Sequence, residues 1–201
     1  EQLHFEVAKL KMEFMCNAQS LLHGDLHTGS IFITKESTMV IDPEFAFYGP
    51  MGYDIGNVIA NMIFAWCNGN AEIKDKEKRR KFCGWVEKVI VEVVDKTLAK
   101  MREYYQKHVT DIMASSKEYM EYYLNTILAD TSGVTGLELN RRTVGMANVK
   151  DLTTISNAKE RIRAERICIL SAKRFIKERY NMKRGIDFLQ VVKDTASKVF
   201  L

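Results

Sequence analysis

The first part of the chain changes from a helical to a strand-like spacing of apolar residues. Before Ser20, apolar side chains recur three or four positions apart, at Leu3, Val7, Leu10 and Phe14. This spacing predicts an amphipathic helix. Residues 31–34 and 39–42 then form two short β-rich runs, joined by the polar residues 35–38. Two such runs around a polar linker indicate a small hairpin.

After the two prolines, Pro43 and Pro50, the chain is dominated by residues that favour helices. Residues 53–66 predict a buried helix. Residues 73–108 predict one long helix or two, and Gly84 is the candidate break or kink. The apolar stripe of this long segment is expected at Trp85, Val89, Val93, Leu98 and Met101.

The last third alternates between helical and loop-like composition. Residues 120–128 form a further apolar helical run, whereas residues 131–145 are the part of the second half richest in Gly and Thr, which favours a loop. Asn157, with Glu160 three positions later, predicts a capping box that opens a helix running to about residue 180. A terminal helix is expected after Gly185.

Composition points to one mainly α (α+β) domain covering residues 1–201. The chain has 201 residues, of which 46% are hydrophobic, enough for one substantial core. The net charge of +4 comes from 30 basic and 26 acidic residues spread along the chain, so we expect no nucleic acid or membrane partner. The four cysteines show no metal-ligand spacing, which favours free thiols in a reducing cytoplasm.

The candidate chemistry lies between residues 22 and 54. Asp25 follows His-Gly, and Asp42 and Glu44 flank Pro43 at the end of a predicted strand. Loops anchored by strands hold side chains firmly. Phosphoryl transfer needs one carboxylate to orient the attacking hydroxyl and others to hold Mg²⁺ against the phosphates, and Mg²⁺ prefers oxygen ligands. The combination therefore favours a phosphotransferase site.

Each of these residues also has a structural interpretation. An Asp in a Gly-containing turn commonly forms the turn, and Asp-Pro commonly ends a strand. We interpret His23 as a structural residue that bonds nearby backbone, because Asp25 already fills the role of base. His27 is interpreted as a loop residue without an assigned role.

The order of these motifs resembles that of a known enzyme family. HGDLHTGSI, followed by IDPEFAFYGPMGYDIGN at the start of a hydrophobic helix, is similar to the catalytic and metal loops of the protein-kinase-like small-molecule kinases, and in wording to the methylthioribose kinases. The resemblance implies the helical C-terminal lobe of a protein-kinase-like fold. The hairpin would then carry a catalytic loop at 22–31 and a metal loop at 41–45.

The resemblance also implies roles for individual residues. Asp25 would accept or orient the proton of the sugar's anomeric hydroxyl. ATP and its Mg²⁺ would be bound at Asp42, Pro43 and Glu44, with Asp42 and Glu44 as the metal ligands. His23, Ser30 and Asp54 would support the loops, Asp54 by hydrogen-bonding the catalytic loop from the following helix. Aminoglycoside-type kinases have Asn where this chain has Ser30, which gives Glu44 more weight as a ligand.

A second substrate contact is implied at Arg141 and Arg142, in a substrate-facing loop at 136–146. Guanidinium groups hydrogen-bond sugar hydroxyls and neutralise charge on a transferred phosphoryl group. From the residues alone, the pair would be a solvated surface pair.

The implied activity is transfer of the ATP γ-phosphate to 5-methylthioribose, in methionine salvage, by a cytoplasmic homodimer. Residues 1–23 contain no glycine, so we expect the N-terminal ATP lobe to be absent and the isolated chain to be weakly active. Two alternatives remain open. One is a kinase for another small alcohol, such as an aminoglycoside, choline or homoserine, and the other is a non-catalytic interaction module derived from a kinase.

Overall fold

The protein is mainly helical in residues 1–199, the part that its computed structural model describes. The last two residues of the predicted 1–201 domain lie outside this part. The elements in chain order are α1 Gln2–Cys16, β1 Ser20–Leu22, β2 Ile31–Ile33, β3 Thr38–Val40, β4 Phe47–Gly49, α2 Gly52–Glu72, α3 Lys76–His108, α4 Lys117–Val144, α5 Lys150–Thr153, α6 Ala158–Lys177 and α7 Gly185–Lys198. Single 3-10 turns occupy Thr28–Ser30 and Arg179–Asn181.

The four strands form two small antiparallel pairs. The predicted hairpin is confirmed, since β2 pairs with β3 and Phe32 lies opposite Met39. β1 pairs with β4, with Leu21 opposite Tyr48, and the sequence analysis did not predict this second pair. The two pairs hold the residues on either side of them, so the catalytic and metal loops of the sequence analysis start from fixed strand ends.

The core lies where α2, α4 and α6 pack closely. Phe64, Phe175 and Phe188 are fully buried within one continuous apolar cluster. A Cβ built on Gly56 would lie 2.7 Å from the carbonyl oxygen of Thr131. A Cβ on Gly136 would lie 2.6 Å from that of Ala172. These glycines of α2 and α4 thus let the helices approach to backbone contact.

The loop predicted at 131–145 is wrong, because α4 continues unbroken to Val144. Its glycines serve close helix packing, and its threonines satisfy their own hydroxyl groups within the helix. Thr131 donates to the carbonyl oxygen of Ile127 and Thr135 to that of Thr131, both at 2.8 Å. The segment 136–146, predicted to face the substrate, is therefore largely the last turns of a helix.

In the first half of α3, the buried face lies one position away from the predicted one. α3 is a single helix, so Gly84 does not break it into two. The buried row is Cys83, Val86, Ile90, Val94 and Leu98. Trp85, expected in the core, is 56% exposed. Two adjacent rows are apolar at helical spacing, so the spacing alone does not decide which of them packs inward.

The predicted starts of α6 and α7 are confirmed, whereas α2 extends beyond the predicted residue 66 to Glu72 and α5 was not predicted. Asn157 caps α6 by accepting hydrogen bonds from the backbone N–H groups of Lys159 and Glu160, and α7 begins at Gly185. No helix of residues 1–199 has the length and hydropathy to cross a membrane.

A buried arginine joins α1 to the rest of the lobe. Arg179 is 1% exposed, and its guanidinium group lies 3.3 Å from a carboxylate oxygen of Glu6 and 2.6 Å from one of Glu13. It also lies 3.6 Å from Oδ1 of Asp130 on α4. The other oxygen of Asp130, Oδ2, is buried and has no hydrogen-bond partner among the described residues.

Candidate active site

Asp54, in the first turn of α2, holds the backbone of the loop that precedes Asp25. Its carboxylate accepts hydrogen bonds from the N–H of His23 at 2.7 Å and from that of Gly24 at 3.1 Å. Gly24 has φ +87°, and a Cβ there would lie 2.2 Å from the carbonyl oxygen of Phe45. Only glycine fits this left-handed, closely packed position. Together these contacts fix the position of the backbone that carries Asp25.

His23 connects the Asp25 loop to the segment that contains Asp42. Its Nδ1 accepts a hydrogen bond from the N–H of Asp25 at 3.3 Å, so Nε2 carries the proton and donates to the carbonyl oxygen of Ile41 at 2.8 Å. A neutral imidazole with this tautomer therefore bridges the two loops. His23, interpreted from the sequence as a residue that bonds nearby backbone, contacts the backbone of both loops.

Ser30 and His27 shape the other side of the same loop. Ser30 is buried, its hydroxyl donates to the carbonyl oxygen of Asp25 at 3.5 Å, and its own carbonyl oxygen accepts from the N–H of Ile41 at 3.0 Å. His27 caps the 3-10 turn, since its Nδ1 accepts from the N–H of Gly29 at 3.0 Å. Its Nε2 lies 3.7 Å from a carboxylate oxygen of Asp25.

Asp42 and Glu44 project from a tight turn beside this loop. Asp42 has φ +68°, a left-handed conformation that Asp tolerates better than most residues. The N–H of Ala46 closes the turn by donating to the carbonyl oxygen of Pro43 at 3.0 Å. Both acidic residues are exposed, and neither forms an ion pair within residues 1–199. Their carboxylates are thus open to a ligand from solvent.

The residues present suit a hard cation in part. Two carboxylates on an open turn provide the oxygen ligands that Mg²⁺ prefers, with waters and phosphate oxygens completing the shell. In the part of the chain that the structure describes, no cluster of three or more His, Cys, Asp or Glu residues could hold a metal ion. A metal at Asp42 and Glu44 would therefore depend on its nucleotide.

The C-terminal end of α4 brings Arg142 to Asp25. The guanidinium NH2 of Arg142 lies 3.9 Å from Oδ1 of Asp25, which is 38% exposed at its side chain. Arg141 points to a neighbouring cavity and is half exposed. Arg142 and Asp25, far apart in sequence, thus face one another.

Glu138 holds both arginines, and the sequence analysis missed it. Its carboxylate accepts hydrogen bonds from Nε and NH2 of Arg141 at 2.8 and 3.2 Å, and from Nε of Arg142 at 2.8 Å. Burial by itself would raise the pKa of Glu138, but the two guanidinium groups lower that pKa overall. A Glu three and four positions before two arginines is a helical signal that the loop prediction concealed.

A cavity of about 500 Å³ adjoins Arg141 between α1, α2 and α4. Its wall is mostly apolar, with Leu10 and Phe14 of α1 on one side. Phe14, Phe47 and Tyr53 form an aromatic cluster, with ring centroids 5.2 to 5.6 Å apart. Burial raises the pKa of the Tyr53 phenol. The sequence analysis predicted the helix that carries Leu10 and Phe14 but not this cavity.

Comparison with known proteins finds a family that is similar to the part of the chain containing these residues. The phosphotransferase enzyme family matches residues 15–81, which include Asp25, Asp42, Glu44 and Asp54. Over this stretch, about a third of the chain, the sequence is similar to that family of phosphotransferases.

Individual relatives are similar over most of the chain. A methylthioribose kinase of Geobacillus thermodenitrificans (strain NG80-2) is 37% identical over 199 residues, which cover 97% of this chain and 47% of that protein. Methylthioribose kinase 1 of Oryza sativa subsp. japonica is 38% identical over 189 residues, covering 89% and 44%. A methylthioribose kinase of Bacillus cereus (strain G9842) is 39% identical over 175 residues, covering 87% and 42%. The chain thus resembles methylthioribose kinases and spans about half the length of these relatives.

Proposed function

We propose that this chain is the helical lobe of an ATP-dependent kinase that phosphorylates the anomeric hydroxyl of 5-methylthioribose. The product is 5-methylthioribose 1-phosphate, an intermediate of methionine salvage. The observation that carries the proposal is the approach of Arg142 to Asp25 at 3.9 Å. It brings the residues assigned to the sugar hydroxyl and to the phosphoryl charge to one place, as phosphoryl transfer requires.

Asp25 is the group that accepts or orients the proton of the attacking hydroxyl. Its side chain is reachable from solvent, and its contacts to His27 and Arg142 are long, at 3.7 and 3.9 Å. Its backbone is fixed through His23 and Gly24, whose N–H groups are bound by Asp54. The backbone of the base is therefore already positioned when the substrate binds.

Asp42, Pro43 and Glu44 form the nucleotide side of the site. Mg²⁺ held by Asp42 and Glu44 would neutralise charge on the ATP phosphates. His23 sets the position of this turn relative to Asp25 by bonding Ile41. Ser30 supports it through a second backbone bond to the same residue.

Arg141 and Arg142 form the acceptor side. Arg142, directed at Asp25, is placed to neutralise charge that develops on the transferred phosphoryl group. Arg141, at the wall of the cavity, is placed to hydrogen-bond hydroxyl groups of the sugar.

The activity belongs to the complete protein, since the matched relatives are about twice as long as this chain. The 201-residue polypeptide alone is predicted to bind ATP weakly and to turn over poorly. A homodimeric, cytoplasmic enzyme without nucleic acid or membrane partners also stays a prediction.

The substrate is tested by measuring ATP-dependent phosphorylation with the full-length protein and a panel of acceptors. We expect methylthioribose to be preferred by kcat/KM over an aminoglycoside, choline and homoserine. Preference for one of the other acceptors would refute the thiosugar assignment while retaining the kinase. No ATP turnover with any acceptor by the folded full-length protein would favour a non-catalytic module.

A further inference from the structure

Glu138 makes three hydrogen bonds to the two arginines that face the acceptor side. It is 5% exposed, and both of its carboxylate oxygens are used, Oε2 by Arg141 and Oε1 by Arg141 and Arg142. Arg141 lies three residues after it and Arg142 four residues after it, on the same helix. These are the two helical spacings at which side chains meet.

Without a common partner, two adjacent arginines on a helix would diverge. Consecutive side chains leave a helix about 100° apart, and their like charges repel. One buried carboxylate bound to both brings them to the same side. It also fixes the Nε edge of Arg142, which leaves NH2 directed at Asp25 but too distant for a hydrogen bond, at 3.9 Å.

We propose that Glu138 is a positioning residue for phosphoryl transfer, acting through Arg141 and Arg142. This inference rests on the proposed function. Glu138 keeps the Arg142 guanidinium group from closing onto the Asp25 carboxylate, so that the carboxylate stays available to an acceptor hydroxyl. It also holds Arg141 at the wall of the cavity, where the rest of the acceptor would bind.

The proposal predicts a specific pattern of kinetic losses for Glu138→Gln in the full-length protein. We expect kcat/KM for methylthioribose to fall about 10- to 100-fold, as is typical when the group that orients a site residue is removed. KM for ATP should stay unchanged, because Glu138 does not touch the residues assigned to the nucleotide. Glu138→Asp, which retains the charge, should recover part of the loss.

A double-mutant cycle distinguishes positioning from a general structural role. In a protein that carries Arg141→Gln and Arg142→Gln, Glu138→Gln should cause no further loss of kcat/KM, because its partners are gone. The matched control is Glu121→Gln on the same helix. Glu121 pairs with Arg102 through two bonds of 3.0 Å away from the site, so its loss should leave kcat/KM unchanged.

The outcomes separate this inference from the proposed function. If the unsubstituted protein does not phosphorylate methylthioribose, the proposed function fails. If it does, and Glu138→Gln retains full kcat/KM, the positioning role is overturned. An equal loss from Glu138→Gln with and without the arginines would overturn it as well. Should Glu138→Gln fold poorly by circular dichroism, the same comparison is made with Glu138→Asp.

Discussion

The carboxylate of Asp54 accepts a hydrogen bond from the backbone N–H of His23 at 2.7 Å and a second from the next residue. Removing this acceptor in Asp54→Ala leaves two N–H groups of the Asp25 loop without their partner. Hydrogen bonds to a charged group contribute about 1.5–3 kcal/mol each, so we expect a loss of at least about 2 kcal/mol in the free energy of unfolding. Urea unfolding measures it.

The same substitution should loosen the loop before it unfolds the lobe. Amide hydrogen exchange at His23 and Gly24 is expected to accelerate more than exchange in the buried part of α2. Asp54→Asn, which keeps one acceptor oxygen, should lie between the native protein and Asp54→Ala. Unchanged exchange at both amides would contradict the assigned role of Asp54.

Two glycines provide a matched pair for backbone effects. Gly24 has φ +87° and no room for a Cβ, whereas a Cβ on Gly84 of α3 would meet nothing within 4 Å. Gly24→Ala should destabilise the fold by more than about 1 kcal/mol. Gly84→Ala should stabilise it by about 0.5–1 kcal/mol, because alanine favours a helix interior. Thermal unfolding compares the two, and equal effects would refute the difference.

The buried Asp130 predicts a decrease in stability as pH rises. Burial raises the pKa of Asp130 from 3.8 to about 7, the nearby Glu13 adds to the increase, and Arg179 opposes it. Between these two pKa values the folded protein keeps a proton that the unfolded chain has released. The contribution of Asp130 to stability is therefore complete below about pH 4 and lost as pH rises to about 7.

Asp130→Asn isolates this effect from all other titrations, because the amide stays neutral. The free energy of unfolding of the native protein, minus that of the variant, should fall between pH 5 and pH 7 by up to about 1.4 kcal/mol per pH unit. Denaturant unfolding at several pH values measures this difference. A difference that does not change with pH would show that Asp130 is ionised throughout.

The two arginines should differ in their kinetic effects. Arg142 faces Asp25, so Arg142→Gln is expected to lower kcat by about 10²- to 10³-fold, the range for removing a group that stabilises transition-state charge. Arg141 lines the cavity, so Arg141→Gln should act mainly by raising KM for the sugar. Steady-state kinetics with the full-length protein measures both. The reverse assignment of the two effects would place Arg141, and not Arg142, at the reacting phosphoryl group.

Local patterns in the sequence predicted much of the fold. The helix at Gln2–Cys16, the hairpin of β2 and β3 and the cap at Asn157 each depend on residues close together in the chain. The pairing of β1 with β4 joins three-residue strands that are distant in sequence, and no local signal marks it.

The wrong predictions concern residues whose conformation depends on tertiary packing. Gly133, Thr135 and Gly136 have a loop-like composition, but they lie in α4, where neighbouring side chains and backbone leave no room for a Cβ at either glycine. Once that segment was taken as a loop, the helical spacing of Glu138 to both arginines was hidden. The residues with candidate chemistry were identified from motifs, whereas the residue that orients two of them required the helix.

The most direct test of the central claim is the turnover number of Asp25→Asn in the full-length protein. Its long contacts to His27 and Arg142 leave little to lose in stability, so the free energy of unfolding should change by less than about 0.5 kcal/mol. We predict that kcat for phosphorylation of methylthioribose falls by about 10²- to 10⁴-fold while ATP affinity is retained. A folded Asp25→Asn variant with native kcat would contradict the account.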